Sequence, residues 1–213
     1  MNNRNFNEII SMSKILFTFS FFFIALISSA QPIDRNATRE TKNLYYNLKL
    51  SLKKGILFGH QDDLAYGVNW KYVPGNSDIK EVTGDYPAVY GWELGGIELD
   101  SSKNLDGVPF DKMRSFIQEG YERGGVITIS WHLRNPVTGG SAWDSTGDVV
   151  KDIIPGGAYN NKYKTYLDKV AVFLQSLKGK NGRPIPVILR LFHELNGSWF
   201  WWGHRERSEY LAL

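Results

Sequence analysis

Cysteine is absent from all 213 residues. No disulfide staples this chain, no thiol anchors it to lipid, and its stability has to come from an apolar core. An excess of one charge is missing as well. Subtracting Arg4, Lys14 and Glu8, which lie in the first 30 residues, from 25 basic and 22 acidic residues leaves 23 and 21, a net charge of +2 for residues 31–213. So even a balance offers little to a polyphosphate backbone or an anionic membrane, which argues against nucleic acid and lipid headgroups as partners. Internal repeats and low-complexity segments are lacking. No His-x-x-x-His or His-Glu-x-x-His spacing occurs among the four histidines, so the reading carries no metal and no cofactor.

A long hydrophobic run is also wanting. The most apolar stretch, residues 15–27, falls short of the roughly 18 to 20 residues that a membrane span requires. It follows Arg4 and Lys14 and precedes the small residues Ser28, Ser29 and Ala30. That order reads as a secretory signal peptide over residues 1–30, cleaved after Ala30, with the protein secreted, periplasmic or on the cell surface and no membrane contact after its removal. A start at Met12 gives a more compact signal and the same mature chain.

What remains is rich in rings. The composition is 42% hydrophobic and 14% aromatic, with seven tryptophans and eleven tyrosines. That is ample for one folded domain. Ring faces without a charge bias suit a flat, neutral, hydroxyl-rich ligand, and carbohydrate is the natural candidate.

Strand and helix patterns alternate from residue 36 on. From Asn36, a good N-cap, Leu44, Tyr45, Leu48 and Leu52 recur at helical spacing until Gly55. Ile56 to Phe58 predict a first strand, running into Gly59, His60, Gln61, Asp62 and Asp63. A loop with Tyr66 and Trp70 leads to a short helix from Ser77 to about Val82. Ala88 to Trp92 predict a second strand ending in Glu93, and Phe110, Met113, Phe116, Ile117 and Tyr121 share one helical face. Val126 to Ser130 predict the third strand, ending in Trp131 and His132. Residues 135–159 hold too many glycines and prolines for regular structure, and loops of that length are usually functional. Tyr163, Tyr166, Val170 and Phe173 mark another helix, and Val187 to Leu189 a fourth strand that ends in His193, Glu194 and Asn196.

Each strand ends in a polar or aromatic cluster, the signature of a (β/α) barrel with its site at the carboxyl ends of the strands. The fold class is therefore α/β, a (β/α)8 TIM barrel of which about the first four β/α units are present. Residues 31–213 are expected to be the front part of a catalytic barrel, because a whole one takes roughly 250 residues and Ser208 to Leu213 read as the start of a further helix.

Cleaving a glycosidic bond takes two carboxyl groups, one of which protonates the leaving oxygen. Glu194 is the candidate for that group, since an adjacent imidazole and a wall of aromatics would exclude water and hold its proton near neutrality. The plainer reading pairs Glu194 with Arg190 or Arg205. His60, His132 and His193 all fall just beyond predicted strands and together mark a polar pocket. A metal centre built from His60, Asp62, Asp63, His132, His193 and Glu194 is the rival arrangement, against which the missing ligand spacings argue. Trp143 and Trp199 are the tryptophans best placed to stack on sugar rings, since Trp199, Phe200, Trp201 and Trp202 cannot all face one ligand. The triplets Asn36-Ala37-Thr38 and Asn196-Gly197-Ser198 are read as chance matches to a glycosylation signal.

LFGHQDD at 57–63, AVYGWELGGIE at 88–98, ITISWH at 127–132 and RLFHELNGSWFWWG at 190–203 together resemble glycoside hydrolase family 26, whose best-known members are endo-β-1,4-mannanases. The resemblance implies a (β/α)8 barrel and a retaining mechanism, with the acid/base glutamate after strand four and the nucleophile after strand seven. By position, Glu194 resembles the acid/base, while His132, Trp143, His193 and Trp199 resemble residues lining the sugar subsites. Asp62, Asp63, Glu93 and Glu98 are available carboxylates, but the family pattern makes none of them the nucleophile. The implied partner is a polysaccharide: mannan, galactomannan or glucomannan. The nucleophile is then expected beyond Leu213, and the isolated chain is expected to be inactive and poorly stable. A β-xylanase or β-glucanase of the same family, or a noncatalytic secreted carbohydrate-binding protein, are the competing functions.

Overall fold

A computed structural model describes residue 32 and residues 34–213; residues 1–30, expected to be a signal peptide, lie outside the described residues. The chain divides after Ala37. Ahead of that point, Asp34 closes a turn by accepting the N–H groups of Asn36 (2.8 Å) and Ala37 (3.1 Å).

From Thr38 on, the elements in chain order are α1 (Arg39–Ser51), β1 (Gly59–Gln61), β2 (Tyr66–Gly67), β3 (Trp70–Lys71), α2 (Asp78–Thr83), β4 (Val89–Glu93), a 3-10 turn (Ile97–Leu99), α3 (Phe110–Glu122), β5 (Val126–Ser130), α4 (Val149–Ile153), α5 (Asn160–Ser176), β6 (Val187–Arg190) and α6 (Arg207–Ala212). Four strands form one parallel sheet in the order β1, β4, β5, β6. Sequential parallel strands with helical returns are consecutive units of a (β/α)8 barrel.

The first helix begins two residues later than Asn36 suggested. Thr38 is its N-cap, its hydroxyl accepting from Thr41 N at 3.2 Å, and this satisfies one of the donors that a helix start leaves open. The first strand is also displaced. Ile56 to Phe58 are not the strand; Ile56 is 97% exposed, and pairing starts at Gly59, with Phe58 O accepting from Ala88 N (3.0 Å) and Val89 N (3.1 Å). Gly59 fits there because a Cβ would lie 3.1 Å from Val89 Cβ. Apolarity misled at this position: a polar Gly-His-Gln triplet makes the ladder.

Strand alternation sorts the sheet into two faces. Tyr90, Trp92, Ile127 and Ile129 are buried on one, packed against α3, whose Met113 and Ile117 are also buried. Trp92 stacks on Phe116 with ring centres 6.0 Å apart. Tyr90 lies so close to Gly120 that a Cβ there would sit 2.9 Å from its ring. Phe110 meets Phe173 of α5 edge to face at 5.6 Å. The opposite face carries Gln61, Gly91, Thr128 and Ile188 in register, then Glu93, Ser130 and Arg190 nearer the carboxyl end.

Two connections hold more structure than expected. The 66–71 segment is a small antiparallel hairpin, fastened by Asp78, which accepts from Val68 N (2.8 Å) and Trp70 Nε1 (2.6 Å). Inside residues 135–159, α4 buries Val149, Val150 and Ile153. No helix among the described residues is long and apolar enough to cross a membrane.

Candidate active site

The carboxyl end of β4 delivers Glu93, which is 3% exposed. Its carboxylate accepts from Gly95 N (2.6 Å), His132 N (2.7 Å), Ser130 Oγ (2.9 Å) and His132 Nδ1 (2.9 Å). Burial opposes its charge, but the bonds from the His132 ring and amide outweigh it and hold the Glu93 carboxyl below the usual range. An ionised Glu93 requires the proton on His132 Nδ1, and in the neutral ring that leaves His132 Nε2 as an acceptor.

That acceptor faces His193 Nε2 at 3.1 Å. Burial, then the neighbouring His132, push the His193 imidazole down, so it is neutral at neutral pH. A neutral His193 donating through Nε2 has a bare Nδ1, and that nitrogen is buried without a partner. The result is a fixed chain, Glu93 to His132 to His193, running across the ends of β4, β5 and β6. Glu194 directly follows His193 in sequence, yet its carboxylate stands outside this chain and bonds to Trp199 instead.

The loop after β6 turns sharply to present that acid. Phe192 (φ 51°) and Glu194 (φ 55°) both sit in the left-handed region, which costs a non-glycine residue roughly 1 to 2 kcal/mol each and is held only by surrounding structure. The holding is aromatic. Trp201 and Trp202 are fully buried, their ring nitrogens donating to Leu133 O (3.1 Å) and His193 O (2.9 Å). Phe200 stacks on Trp202 at 4.4 Å. Of the four consecutive aromatics only Trp199 stays half exposed, at 49%, and its Nε1 donates to Glu194 Oε2 at 2.9 Å.

Trp143 comes from the long loop after β5. It lies parallel to His132 with ring centres 5.3 Å apart and is 55% exposed. Beside it a cleft of about 190 Å³ is lined by Gly96, Leu105, His132, Arg134 and Ala142. Two half-exposed indoles, Trp143 and Trp199, thus flank a rim on which an exposed carboxylate and two imidazoles converge, an arrangement suited to stacking sugar rings and moving a proton.

His132, His193, Glu194, Trp143 and Trp199 are brought together as the sequence suggested. His60 is not. It lies within β1, paired in register with Tyr90, so alternation puts it on the α3 side, where its Nδ1 is 3.5 Å from Asp63 Oδ1. The displacement of β1 by three residues is what misassigned it. Glu194 departs from expectation too: it is exposed, and the aromatics expected to wall it off pack beneath the loop instead. Neither arginine considered as its partner pairs with it, since Arg205 donates to Trp201 O at 2.9 Å and Arg190 forms no ion pair among the described residues.

Glu93 is the functional residue that sequence reasoning passed over as merely available. Its signal was there, an acid closing an apolar strand shortly before Gly95-Gly96. Glu98 is structural: buried, it accepts from Gly96 N (3.0 Å), Arg134 N (2.9 Å) and Trp131 Nε1 (3.1 Å). Among the described residues no three His, Cys, Asp or Glu side chains are grouped to hold a metal ion.

Known proteins share this fold. Residues 33–212 match the model of glycosyl hydrolase family 26. A mannan endo-1,4-β-mannosidase of Bifidobacterium adolescentis is 38% identical over 192 residues, covering 87% of this chain and 19% of its own. One from Bacillus subtilis strain 168 is 28% identical, covering 87% of this chain and 54% of its own. The solved structure of a GH26 β-mannanase from Bacteroides ovatus superposes with a TM-score of 0.79 at 50% identity, over 82% of this chain and 52% of that one. The chain therefore spans about half, or less, of the length of these relatives.

Proposed function

This chain belongs to glycosyl hydrolase family 26, and we propose on that ground that it serves the endo-hydrolysis of β-1,4-mannosidic linkages, with Glu194 as the proton donor. The observation that carries the reading is the meeting of Glu194, Trp199 and the Glu93–His132–His193 chain at the carboxyl ends of parallel strands. The named activity of its relatives supplies the substrate class.

In this reading a mannan chain lies across Trp143 and Trp199, whose exposed ring faces bind the apolar faces of the sugars. Glu194, held by the Trp199 N–H, gives its proton to the departing glycosidic oxygen. His193 is neutral and the ring nitrogens of both imidazoles are already bonded or buried, so they act as a fixed wall of the site rather than as acids. A retaining displacement needs a second carboxylate about 5 to 5.5 Å from the first. Glu93 and Glu98 are unsuited to attack, because their oxygens are buried and already accept several hydrogen bonds each. We place the nucleophile outside these 213 residues, and expect residues 31–213 alone to be inactive on mannan. Export through residues 1–30 completes the proposal.

Assaying the product of the complete gene on mannan, xylan and mixed-linkage glucan tests the substrate class. Release of manno-oligosaccharides with little from the other two is the expected result; preference for xylan or glucan moves the enzyme to another specificity, and no hydrolysis of any of the three supports a noncatalytic binding protein.

A further inference from the structure

The loop that presents Trp143 is built around one buried side chain. Residues 134–147, RNPVTGGSAWDSTG, form no helix or strand; they combine a proline and glycines with short polar side chains that bond to nearby backbone. Asn135 is fully buried. Its Nδ2 donates to Asp144 O (2.8 Å) and Thr146 O (3.3 Å), and its Oδ1 accepts from Val137 N (2.9 Å) and Thr138 N (3.2 Å). Its backbone N–H donates to Gly140 O (3.0 Å), and its C=O accepts from Gly139 N (2.9 Å). The amide side chain thus uses both its donors and both its acceptor positions, and it joins the start of the loop to the stretch directly after Trp143.

A second tie spans the same gap. Thr138 Oγ1 donates to Asp144 Oδ2 (2.5 Å) and accepts from Gly140 N (3.0 Å), while Asp144 Oδ1 accepts from Thr146 N (3.1 Å). Position 140 needs glycine, because a Cβ there would run into the Asp144 carboxylate. The loop is also stitched to the one that bears Glu194. Ala142 O, next to Trp143, accepts from Trp201 N (3.0 Å). Arg205, which donates through Nε to Trp201 O (2.9 Å), reaches Ser145 O through Nη2 (3.4 Å). From α5, Lys162 donates to Pro136 O (2.7 Å). The Trp143 ring takes part in none of these bonds; it packs on His132 and Phe200, each with ring centres 5.3 Å away, and keeps its other side open.

We propose that Asn135, together with the Thr138–Asp144 bond, is a positioning residue for the sugar-stacking indole: it closes residues 135–146 into a brace that keeps Trp143 in register with Glu194 and Trp199. A ring on a loose loop has to be ordered when ligand arrives, and that ordering subtracts from affinity; a braced ring meets the cost during folding. The bearing of the brace on turnover rests on the proposed sugar-cleaving site; the brace itself does not.

Amide hydrogen exchange on the product of the complete gene reads the brace without turnover. In Asn135→Ala, Val137 and Thr138 lose their acceptor outright, whereas Gly139, Asp144 and Thr146 keep theirs. Protection at the latter three is expected to fall about tenfold or more while amides of β5 hold theirs; a fall confined to Val137 and Thr138 overturns the proposal. Kinetics on mannan read what the brace is for. Asn135→Ala should raise KM about tenfold and leave kcat within about threefold of wild type, as the loss of uniform binding does. The rise should vanish in a Trp143→Ala background, because two residues acting as one unit are not additive. An unchanged KM, or an equal rise in both backgrounds, overturns the assignment. Thr138→Val changes an exposed position, where folding is not at stake. It should loosen the same three amides and raise KM about twofold to fivefold, again only when Trp143 is present; wild-type protection or a wild-type KM in this variant overturns the proposal. If the unaltered enzyme cleaves no mannan, the proposed function falls, and the exchange result still decides the brace.

Discussion

The Glu93 carboxylate accepts from two amides, one hydroxyl and one imidazole, so removing it strands buried donors in place. Glu93→Ala is expected to cost on the order of 3 to 5 kcal/mol of stability, read from the denaturant midpoint at neutral pH. Because the folded-state pKa of Glu93 is depressed, its contribution is present above the unfolded value of 4.5 and is lost as pH falls through the lower folded value; the mutant should show less acid sensitivity than wild type. His193 has the opposite charge type and the same consequence. Its pKa is lowered from 6.5, so the fold prefers the neutral ring and loses stability as pH falls below about 6.5, until the folded form also takes up the proton. Melting temperatures between about pH 7.5 and about pH 5 should decline less in His193→Gln than in wild type.

At this scale the sequence was legible wherever a residue closes a strand whose boundary is unambiguous. His132, His193 and Glu194 qualify. His60 failed because the face of a strand residue depends on parity, and a three-residue error in the strand inverts parity. The bond between Glu93 and His132 joins distant parts of the chain, and no local pattern announces such a contact.

Among elements, β5 coincides with its predicted span, α2 starts at its Ser77 cap, and α3 contains the whole predicted apolar face from Phe110 to Tyr121, because apolar periodicity, capping and a left-handed Gly124 (φ 88°) all agree there. The β2–β3 hairpin and α4 were not legible: the first depends on Asp78 bonding across the chain, and the second is five residues long inside a glycine-rich stretch. Packing of β4 on α3 yields a test. A Cβ at Gly125 would run into the Tyr90 ring and the Gly120 carbonyl. Gly125→Ala should therefore destabilise by about 1 to 3 kcal/mol by chemical denaturation, although glycine-to-alanine changes at unstrained open positions tend to stabilise.

For the whole molecule, β1 and β6 each pair on one side only among the described residues, and Ile56, Leu57 and Phe58 beside β1 are exposed. Open strand edges next to apolar surface template association. Residues 31–213 expressed alone should accordingly elute from a sizing column as aggregates or associate more as concentration rises, rather than remain a stable monomer.

For the molecule as a whole, the proposed function requires Glu194 to protonate the leaving oxygen, and turnover of unactivated mannan by the complete gene product carrying Glu194→Ala reads that step. A fall of roughly 10² to 10⁴-fold with mannan binding retained is expected; turnover equal to wild type would remove Glu194 from the role.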